Sequence, residues 1–262
     1  MIKMLGIFIA SIFGYLLGSV LWSVPITRWV KGVSIYEVGS NNPGATNTVR
    51  ILGKRWGLAV ALLDGFKVLI TAAFAVGLSM IPNELFSKTS YFIPCIFVLI
   101  GHCWPIWYKF KGGKAVSCFL GLLVVVNYLY FLIFFIVWWI FAFKYRKVSL
   151  SSIIGTVTIL LLMWIPWTYG VSHYSIFNGY DSFIGAWDNN IVFSFYNYLH
   201  KFSSEIHQQN FADGMLTGQI VIIIGMVILV IRHKTNIIKL KNKTEEPIYP
   251  KKEKNNKKGM HS

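Results

Sequence analysis

Three polar segments interrupt an otherwise apolar chain, and each carries residues that could bind a phosphate group. The first spans residues 39–50 and is rich in Gly, Asn and Thr. The second spans residues 101–118 and holds a His, three Lys and a Gly-Gly pair, and the third spans residues 232–245 and begins with Arg-His. Cations beside a glycine backbone that approaches a ligand closely form an anion site. The expected chemistry is therefore the binding of phosphate groups.

The segment 39–50 contains two Gly, a Pro and several small polar residues. This composition predicts consecutive turns that leave N–H groups and hydroxyls available to a ligand. Arg50, at its end, can hold a phosphate with a fork of donors. A solvated surface loop is the alternative, but such a loop rarely needs so many restricted turn residues beside apolar spans.

In the segment 101–118, Lys114 directly follows Gly112 and Gly113 and is the strongest phosphate candidate. The segment is not a nucleotide-binding P-loop, because Tyr108 stands where that pattern needs Gly and Ala115 stands where it needs Ser or Thr.

Other basic residues of the same segment have a second interpretation. Lys109 and Lys111 are explained equally well as anchors at the membrane interface. For His102 the alternative to a site role is a helix-end His bonded to backbone.

In the segment 232–245, His233 and Asn236 are three residues apart, so they share a face if the segment is helical. A His and a carboxamide can grip a polyol or position a hydroxyl for attack. A plain basic anchor next to the membrane explains the charge alone equally well. Both interpretations are open at this point.

The composition indicates an integral membrane protein. Of 262 residues, 55% are apolar and the mean hydropathy is +0.56. The net charge of +15 is uneven: residues 232–262 hold ten Lys or Arg against three Glu, a net +7. This distribution predicts contact with anionic lipids rather than nucleic acid. Three Cys form neither a disulfide framework nor a metal-ligand pattern.

The apolar runs predict an all-α polytopic protein with about seven transmembrane helices, the N-terminus outside and the C-terminus cytoplasmic. The first run is expected to be a span and not a cleaved signal, since no small-x-small site follows it. We expect one membrane domain, residues 1–246, with a long extracytoplasmic loop at 168–215 and a disordered basic tail at 247–262. The predicted spans are 4–24, 56–80, 91–108, two within 115–143, 152–167 and 216–231.

The apolar region 115–143 is too long for one pass. As a single helix it would reach about 43 Å against a hydrocarbon core of about 30 Å. A single pass would also place the basic residues after it opposite the other basic loops. Two short passes meeting near Asn127 are therefore predicted. They place four basic segments, 25–55, 101–118, 144–152 and 232–245, on the cytoplasmic side.

Asp64 lies inside the second predicted span, where ionisable residues are costly and are usually paired or functional. Lys67, three residues further on, is a candidate partner. Structural pairing that supports the site is the favoured interpretation.

Taken together, the three segments resemble the bacterial acyl-phosphate:glycerol-3-phosphate acyltransferases, the PlsY family. The resemblance is carried by Gly-Ser-x-Asn-Pro-Gly-Ala-Thr-Asn with Arg50, by Gly-His-x-Trp-Pro through Phe-Lys-Gly-Gly-Lys, and by Arg-His-x-x-Asn-Ile, in the family's order. Three residues depart from the family, each standing where it has Gly: Asn41, Ala115 and Lys243.

The resemblance implies transfer of a fatty acyl group from acyl phosphate to the 1-hydroxyl of sn-glycerol 3-phosphate, which gives lysophosphatidic acid and phosphate in the first acylation of phospholipid biosynthesis. It implies a multi-pass protein of the bacterial cell membrane, with the site at the cytoplasmic face and with no metal or other cofactor. The enzyme that produces acyl phosphate becomes a candidate partner.

The resemblance also assigns site residues. The catalytic set is Ser40, Arg50, Lys114, His233 and Asn236. The substrate-binding set is Gly39, Asn42, Gly44, Thr46, Asn47, His102, Lys111, Gly112, Gly113, Ser149, Ser152 and Glu245.

Acyl phosphate is already activated, so the protein must bring two anions together and orient the hydroxyl. Either a phosphate oxygen of the donor or His233 could accept the hydroxyl proton, and the former is preferred. Two rival functions are a transporter of an organophosphate or another anion, and a structural membrane protein. Clustering of the polar motifs on one face and the lack of an internal repeat weigh against transport, and the Gly-rich loops weigh against a purely structural role.

Overall fold

The computed structural model describes residues 4–165, 168, 215–245 and 247, and this part of the chain is helical with no strand, which confirms the all-α prediction. The described residues form ten α-helices, which are α1 Leu5–Gly18, α2 Ser23–Lys31, α3 Ala45–Leu52, α4 Lys54–Ser79, α5 Ile93–Cys103, α6 Val116–Val126, α7 Tyr128–Tyr145, α8 Val148–Leu162, α9 Met215–Arg232 and α10 Lys234–Lys241. A 3₁₀ turn, Ile106–Tyr108, follows α5.

Three helical stretches of the described chain are long and apolar enough to cross a membrane: Leu5–Lys31, Lys54–Ser79 and Tyr128–Tyr145. A fourth is the bent pair formed by Leu216–Arg232 and Lys234–Lys241, which meet at 56°. The remaining apolar helices are shorter than the roughly 20 residues a hydrocarbon core requires. Seven full crossings therefore stay a prediction.

The region 115–143 is divided as predicted. Val126 ends α6 and Tyr128 begins α7, with Asn127 between them. Asn127 is fully buried, and its Oδ1 accepts from the backbone N–H of Leu129 at 3.0 Å and of Tyr130 at 3.4 Å. An Asn at this position satisfies two donors that the first turn of a helix otherwise leaves unpaired.

The prediction of consecutive turns throughout residues 39–50 is wrong for its second half, because Ala45–Leu52 is the helix α3. Its buried residues are Asn47, Thr48 and Ile51, and the Thr48 hydroxyl donates to the Gly44 carbonyl at 3.0 Å. This spacing is that of one helix face. The sequence pattern did not predict this helix, because its buried face is largely polar and lacks the apolar periodicity that marks a helix.

Small residues bring the central helices together. Gly14 and Gly18 of α1 lie against the backbone of α5, where a Cβ would collide with the carbonyl oxygens of Pro94 and Val98. On α5, Gly101 lies in the same way against the Tyr15 carbonyl. The glycines of the first span therefore permit close helix packing.

The bundle has two distinguishable ends. At one end, the start of α1 meets the turn before α5, where Gly6 N–H donates to the Leu85 carbonyl at 3.2 Å. At the other end, the C-terminus of α1 meets the segment after α5, where the Tyr15 hydroxyl donates to the Trp104 carbonyl at 3.0 Å. All three polar segments meet at this second end.

Two predictions fall on other parts of the chain. Apart from Thr168 and Met215, the expected extracytoplasmic loop lies outside the described residues, and so does the tail after Pro247.

Candidate active site

The first polar segment is organised around Asn47, which is buried. Its Nδ2 donates to the carbonyls of Ile35 at 3.2 Å and Val38 at 3.0 Å, and its Oδ1 accepts from Ser40 N–H at 2.9 Å. Gly39, at φ +68°, packs so tightly on this amide that a Cβ would overlap it. Asn47 therefore shapes the loop that carries Ser40.

Asn41, Ala115 and Lys243, the three residues that stand in place of a family glycine, all have positive φ, at 56°, 55° and 58°. Glycine adopts this backbone conformation freely, Asn tolerates it, and other residues adopt it at a cost. Each of these three positions therefore has a backbone conformation that favours glycine. The motifs therefore retain their turns despite the departures.

The Gly-Gly pair of the second segment lies against the end of α5. Gly113 N–H donates to the His102 carbonyl at 3.0 Å, and a Cβ on Gly112 would overlap that same carbonyl. A Cβ on Gly113 would strike the His102 ring and would lie 2.6 Å from the Pro43 carbonyl. Only glycine fits between α5 and the first segment. Lys114 follows and stands two residues before Val116, which begins α6.

Lys114 is half-buried and surrounded by charge. Burial lowers its pKa to about 8, Glu245 opposes this shift, and the cations Arg50, Lys239 and Arg232 add to it. Within the described chain, no hydrogen bond or ion pair takes its ammonium group. Cations held together in this way form a strong site for an anion.

The third segment bends at His233, between α9 and α10. The side chain is buried, and its Nδ1 lies 2.8 Å from the Leu229 carbonyl. Because burial lowers its pKa to about 4 and Lys114 and Arg232 add to this, against Glu245 and the Leu229 carbonyl, the ring is neutral at pH 7. With Nδ1–H donating to the carbonyl, Nε2 is left as an acceptor.

Asn236 gathers two more of the expected site residues. Its Nδ2 donates to Ser149 Oγ on α8 at 2.7 Å and to Glu245 Oε1 at 3.0 Å. Glu245 reaches it because α10 ends in a Schellman turn, in which Thr244 N–H donates to the Lys239 carbonyl at 2.8 Å and Lys243 N–H to the Leu240 carbonyl at 3.1 Å. The turn forms even though Lys243 replaces glycine.

A buried ion pair lies behind the second segment. Lys67 Nζ is 2.6 Å from Asp64 Oδ1, and both side chains are almost fully buried, so the predicted partnership is confirmed. His102 Nδ1 is 3.8 Å from the same oxygen and makes no hydrogen bond. His102 therefore lies beneath the Gly-Gly backbone and supports it.

The structure brings most of the expected residues to one end of the bundle, but not all of their side chains face a common space. The Ser152 hydroxyl donates to the Val148 carbonyl at 2.9 Å and accepts from the Trp138 indole at 3.1 Å, so it serves the contact between α7 and α8. Arg50 extends over the site, and one of its nitrogens lies 3.4 Å from the Pro247 carbonyl. Asn42 and Gly44 lie in the turn before α3, and Thr46 lies in the first turn of α3.

The structure connects two further residues to the site, Arg232 and Tyr36, to which the sequence analysis assigned no role. Arg232 donates to the Gly112 carbonyl at 2.7 Å and to the Gly113 carbonyl at 3.0 Å. Tyr36 donates to the Lys111 carbonyl at 2.8 Å. Arg232 next to His233 was a usable signal, whereas nothing marks Tyr36 in the sequence. No group of His, Cys, Asp and Glu in the described residues could hold a metal ion.

Comparison with known proteins gives consistent results. The family model of glycerol-3-phosphate acyltransferases matches residues 8–243. A glycerol-3-phosphate acyltransferase of Mesoplasma florum is 90% identical over 97% of this chain and 100% of its own length. One from Mycoplasma mycoides subsp. mycoides is 57% identical, over 95% of each chain.

Two crystal structures share the fold. A PlsY integral membrane glycerol 3-phosphate acyltransferase in its glycerol 3-phosphate form matches with a TM-score of 0.63 and 28% identity, over 92% of this chain and 94% of that one. A lysophosphatidic acid form matches with a TM-score of 0.62 and 27% identity.

Proposed function

Since this chain belongs to the glycerol-3-phosphate acyltransferase family, and is an integral membrane enzyme that acylates glycerol 3-phosphate, we propose that its acyl donor is acyl phosphate and that the pocket of the three polar segments is the active site. The main support is the set of cations around Lys114, because both substrates are anions. Each cation there reduces the repulsion between the two phosphate groups. A transporter of anions would also use such cations, but the family match favours the acyltransferase.

The proposed roles follow the geometry. Lys114 and Arg50 hold substrate phosphate charge, and Ser40, on the loop shaped by Asn47, borders the acyl phosphate. His233 and Asn236 face the glycerol part of the acceptor. The remaining positions proposed as substrate-binding are Gly39, Asn42, Gly44, Thr46, Asn47, His102, Lys111, Gly112, Gly113, Ser149, Ser152 and Glu245. Among them Asn47, His102 and Ser152 are buried, and Asn47 and Ser152 use their polar atoms within the protein.

The proposed reaction needs no covalent enzyme intermediate. The acceptor hydroxyl oxygen attacks the carbonyl carbon of acyl phosphate, and the bond from that carbon to the phosphate oxygen breaks. The hydroxyl proton passes to an oxygen of the departing phosphate. A neutral His233 with Nε2 as acceptor can hold the hydroxyl in line, which is an orienting role.

The setting of the site is part of the same proposal. The site lies at the cytoplasmic face of the bacterial cell membrane, with the basic segments contacting anionic lipids. The enzyme that makes acyl phosphate is the proposed partner.

The decisive experiment uses purified full-length protein in detergent with acyl phosphate and glycerol 3-phosphate. We expect release of inorganic phosphate together with lysophosphatidic acid, and no acylation when either substrate is omitted. Arg50→Ala and Lys114→Ala should each reduce kcat/KM by about 10²-fold or more. Folded wild-type protein that forms no lysophosphatidic acid from acyl phosphate would exclude this donor, and full activity in both variants would exclude this site.

A further inference from the structure

Three consecutive carbonyl oxygens of the second segment accept hydrogen bonds, one from Tyr36, which lies three residues before the first segment, and two from Arg232 of the third segment. Tyr36 binds the oxygen of Lys111, and Arg232 binds those of Gly112 and Gly113 through Nη2 and Nε. Two expected site residues are close to these donors in sequence: His233 directly follows Arg232, and Gly39 lies three residues after Tyr36. The two donors thus connect one stretch of backbone to the third segment and to the chain just before the first.

Arg232 directs two of its five N–H donors at the backbone of the second segment. Two donors of its rigid fork bind neighbouring carbonyls, and the guanidinium carbon lies 5.6 Å from the centre of the Trp104 ring. Charge-assisted bonds of this kind are about twice as strong as neutral ones. An ammonium group cannot reproduce the planar two-point geometry.

These bonds fix the orientation of peptide planes. In a trans peptide, the carbonyl of one residue and the N–H of the next point in opposite directions. Holding the Lys111 carbonyl therefore directs the Gly112 N–H, and holding the Gly113 carbonyl directs the Lys114 N–H. Gly113 N–H donates to the His102 carbonyl, whereas those of Gly112 and Lys114 have no acceptor among the described residues.

We propose that Arg232 and Tyr36 are positioning residues, which bind the carbonyls of this backbone so that the N–H groups of Gly112 and Lys114 are presented to the substrate phosphate. The inference rests on the proposed function of the loop. A carbonyl oxygen facing a phosphate would repel it, and here three such oxygens are turned toward donors instead. Arg232 thus acts through the loop and not as a phosphate ligand.

Arg232→Lys and Arg232→Gln distinguish these two roles. If the fork geometry matters, both variants lose about 10²-fold in kcat/KM, chiefly through a higher KM for glycerol 3-phosphate, and they lose it equally. If Arg232 binds the phosphate directly, Arg232→Lys keeps the charge and is much more active than Arg232→Gln. That result overturns the inference, and so does an Arg232→Lys variant whose kcat/KM equals that of the wild type. Arg28→Lys, on the exposed surface of α2, is the matched control.

Tyr36→Phe gives an independent test, since Tyr36 lies in a loop and its loss should leave the fold intact. We expect a rise in KM of about fivefold, with an unchanged Tm, from the loss of one hydrogen bond. In the double variant with Arg232→Lys, the loss of kcat/KM should differ at least threefold from the product of the two single losses, because both residues bind carbonyls of the same backbone segment. Tyr145→Phe, at an exposed tyrosine, is the control, and a simple product overturns the inference.

The two proposals fail in different ways. An inactive, folded wild-type protein would contradict the proposed function. An active wild-type protein with normal KM in Arg232→Lys and Tyr36→Phe would contradict only the positioning role.

Discussion

At the scale of single residues, the charge of Lys114 should make kcat/KM depend on pH. Its pKa is lowered to about 8, so the ammonium loses its proton as pH rises through that value. If it holds substrate phosphate, kcat/KM should fall above about pH 8. Lys114→Arg, whose side chain stays charged, should shift that alkaline limb to higher pH even if its rate is lower.

The control for this profile is Lys109→Arg, at an exposed lysine of the same segment. It should keep both the rate and the alkaline limb of the wild type. Rates measured from pH 6.5 to 10 decide the matter, and an unchanged limb in Lys114→Arg would show that another group titrates.

His233 offers a second test at this scale. Because its pKa is lowered to about 4, the ring is neutral throughout the neutral range and is only a weak base. If the donor phosphate takes the proton, His233→Gln should keep kcat within about tenfold, with a higher KM for glycerol 3-phosphate. Steady-state kinetics measure both constants. A loss of kcat by about 10³-fold with an unchanged KM would instead identify His233 as the base.

At the scale of elements, the Schellman turn after α10 determines whether Glu245 reaches Asn236. Lys243 occupies its left-handed position at φ +58° and is exposed, so its side chain adds strain and little packing. Lys243→Gly should stabilise the protein by about 0.5–1 kcal/mol. Asn41→Gly, where Asn already tolerates positive φ, should change the stability very little. Thermal unfolding of both variants in one detergent makes the comparison, and equal shifts would contradict the strain at Lys243.

The break between α6 and α7 depends on the side chain of Asn127. Its Oδ1 caps α7, and its Nδ2 donates to the Thr168 carbonyl at 3.0 Å. The Asn127 side chain is fully buried. Asn127→Ala should lower the free energy of unfolding by about 2 kcal/mol, because buried donors and an acceptor lose their partner. Asn83→Ala removes a comparable bond to Leu85 N–H at an exposed turn and should cost much less. Equal costs would mean that burial at Asn127 adds nothing.

At the scale of the whole molecule, the sequence was informative where one strong physical constraint applied. Membrane thickness predicted the break near Asn127, and the cost of an isolated buried charge predicted the Asp64–Lys67 pair. Short helices with polar buried faces, such as α3, gave no periodic signal. The backbone bonds from Tyr36 and Arg232 were not predictable either, since they depend on tertiary contacts between segments 75 and 119 residues apart.

The orientation of the bundle gives the last prediction. The turn containing Lys88 lies near the start of α1, at the end opposite the site, whereas Lys109 lies beside the site. With the site in the cytoplasm, a cysteine at Lys88 faces outward and one at Lys109 faces inward. The native cysteines Cys95, Cys103 and Cys118 are buried, so background labelling should be low. A membrane-impermeant maleimide should label Lys88→Cys in intact cells, and Lys109→Cys only after permeabilisation. The reverse pattern would place the site outside, away from the expected supply of both substrates.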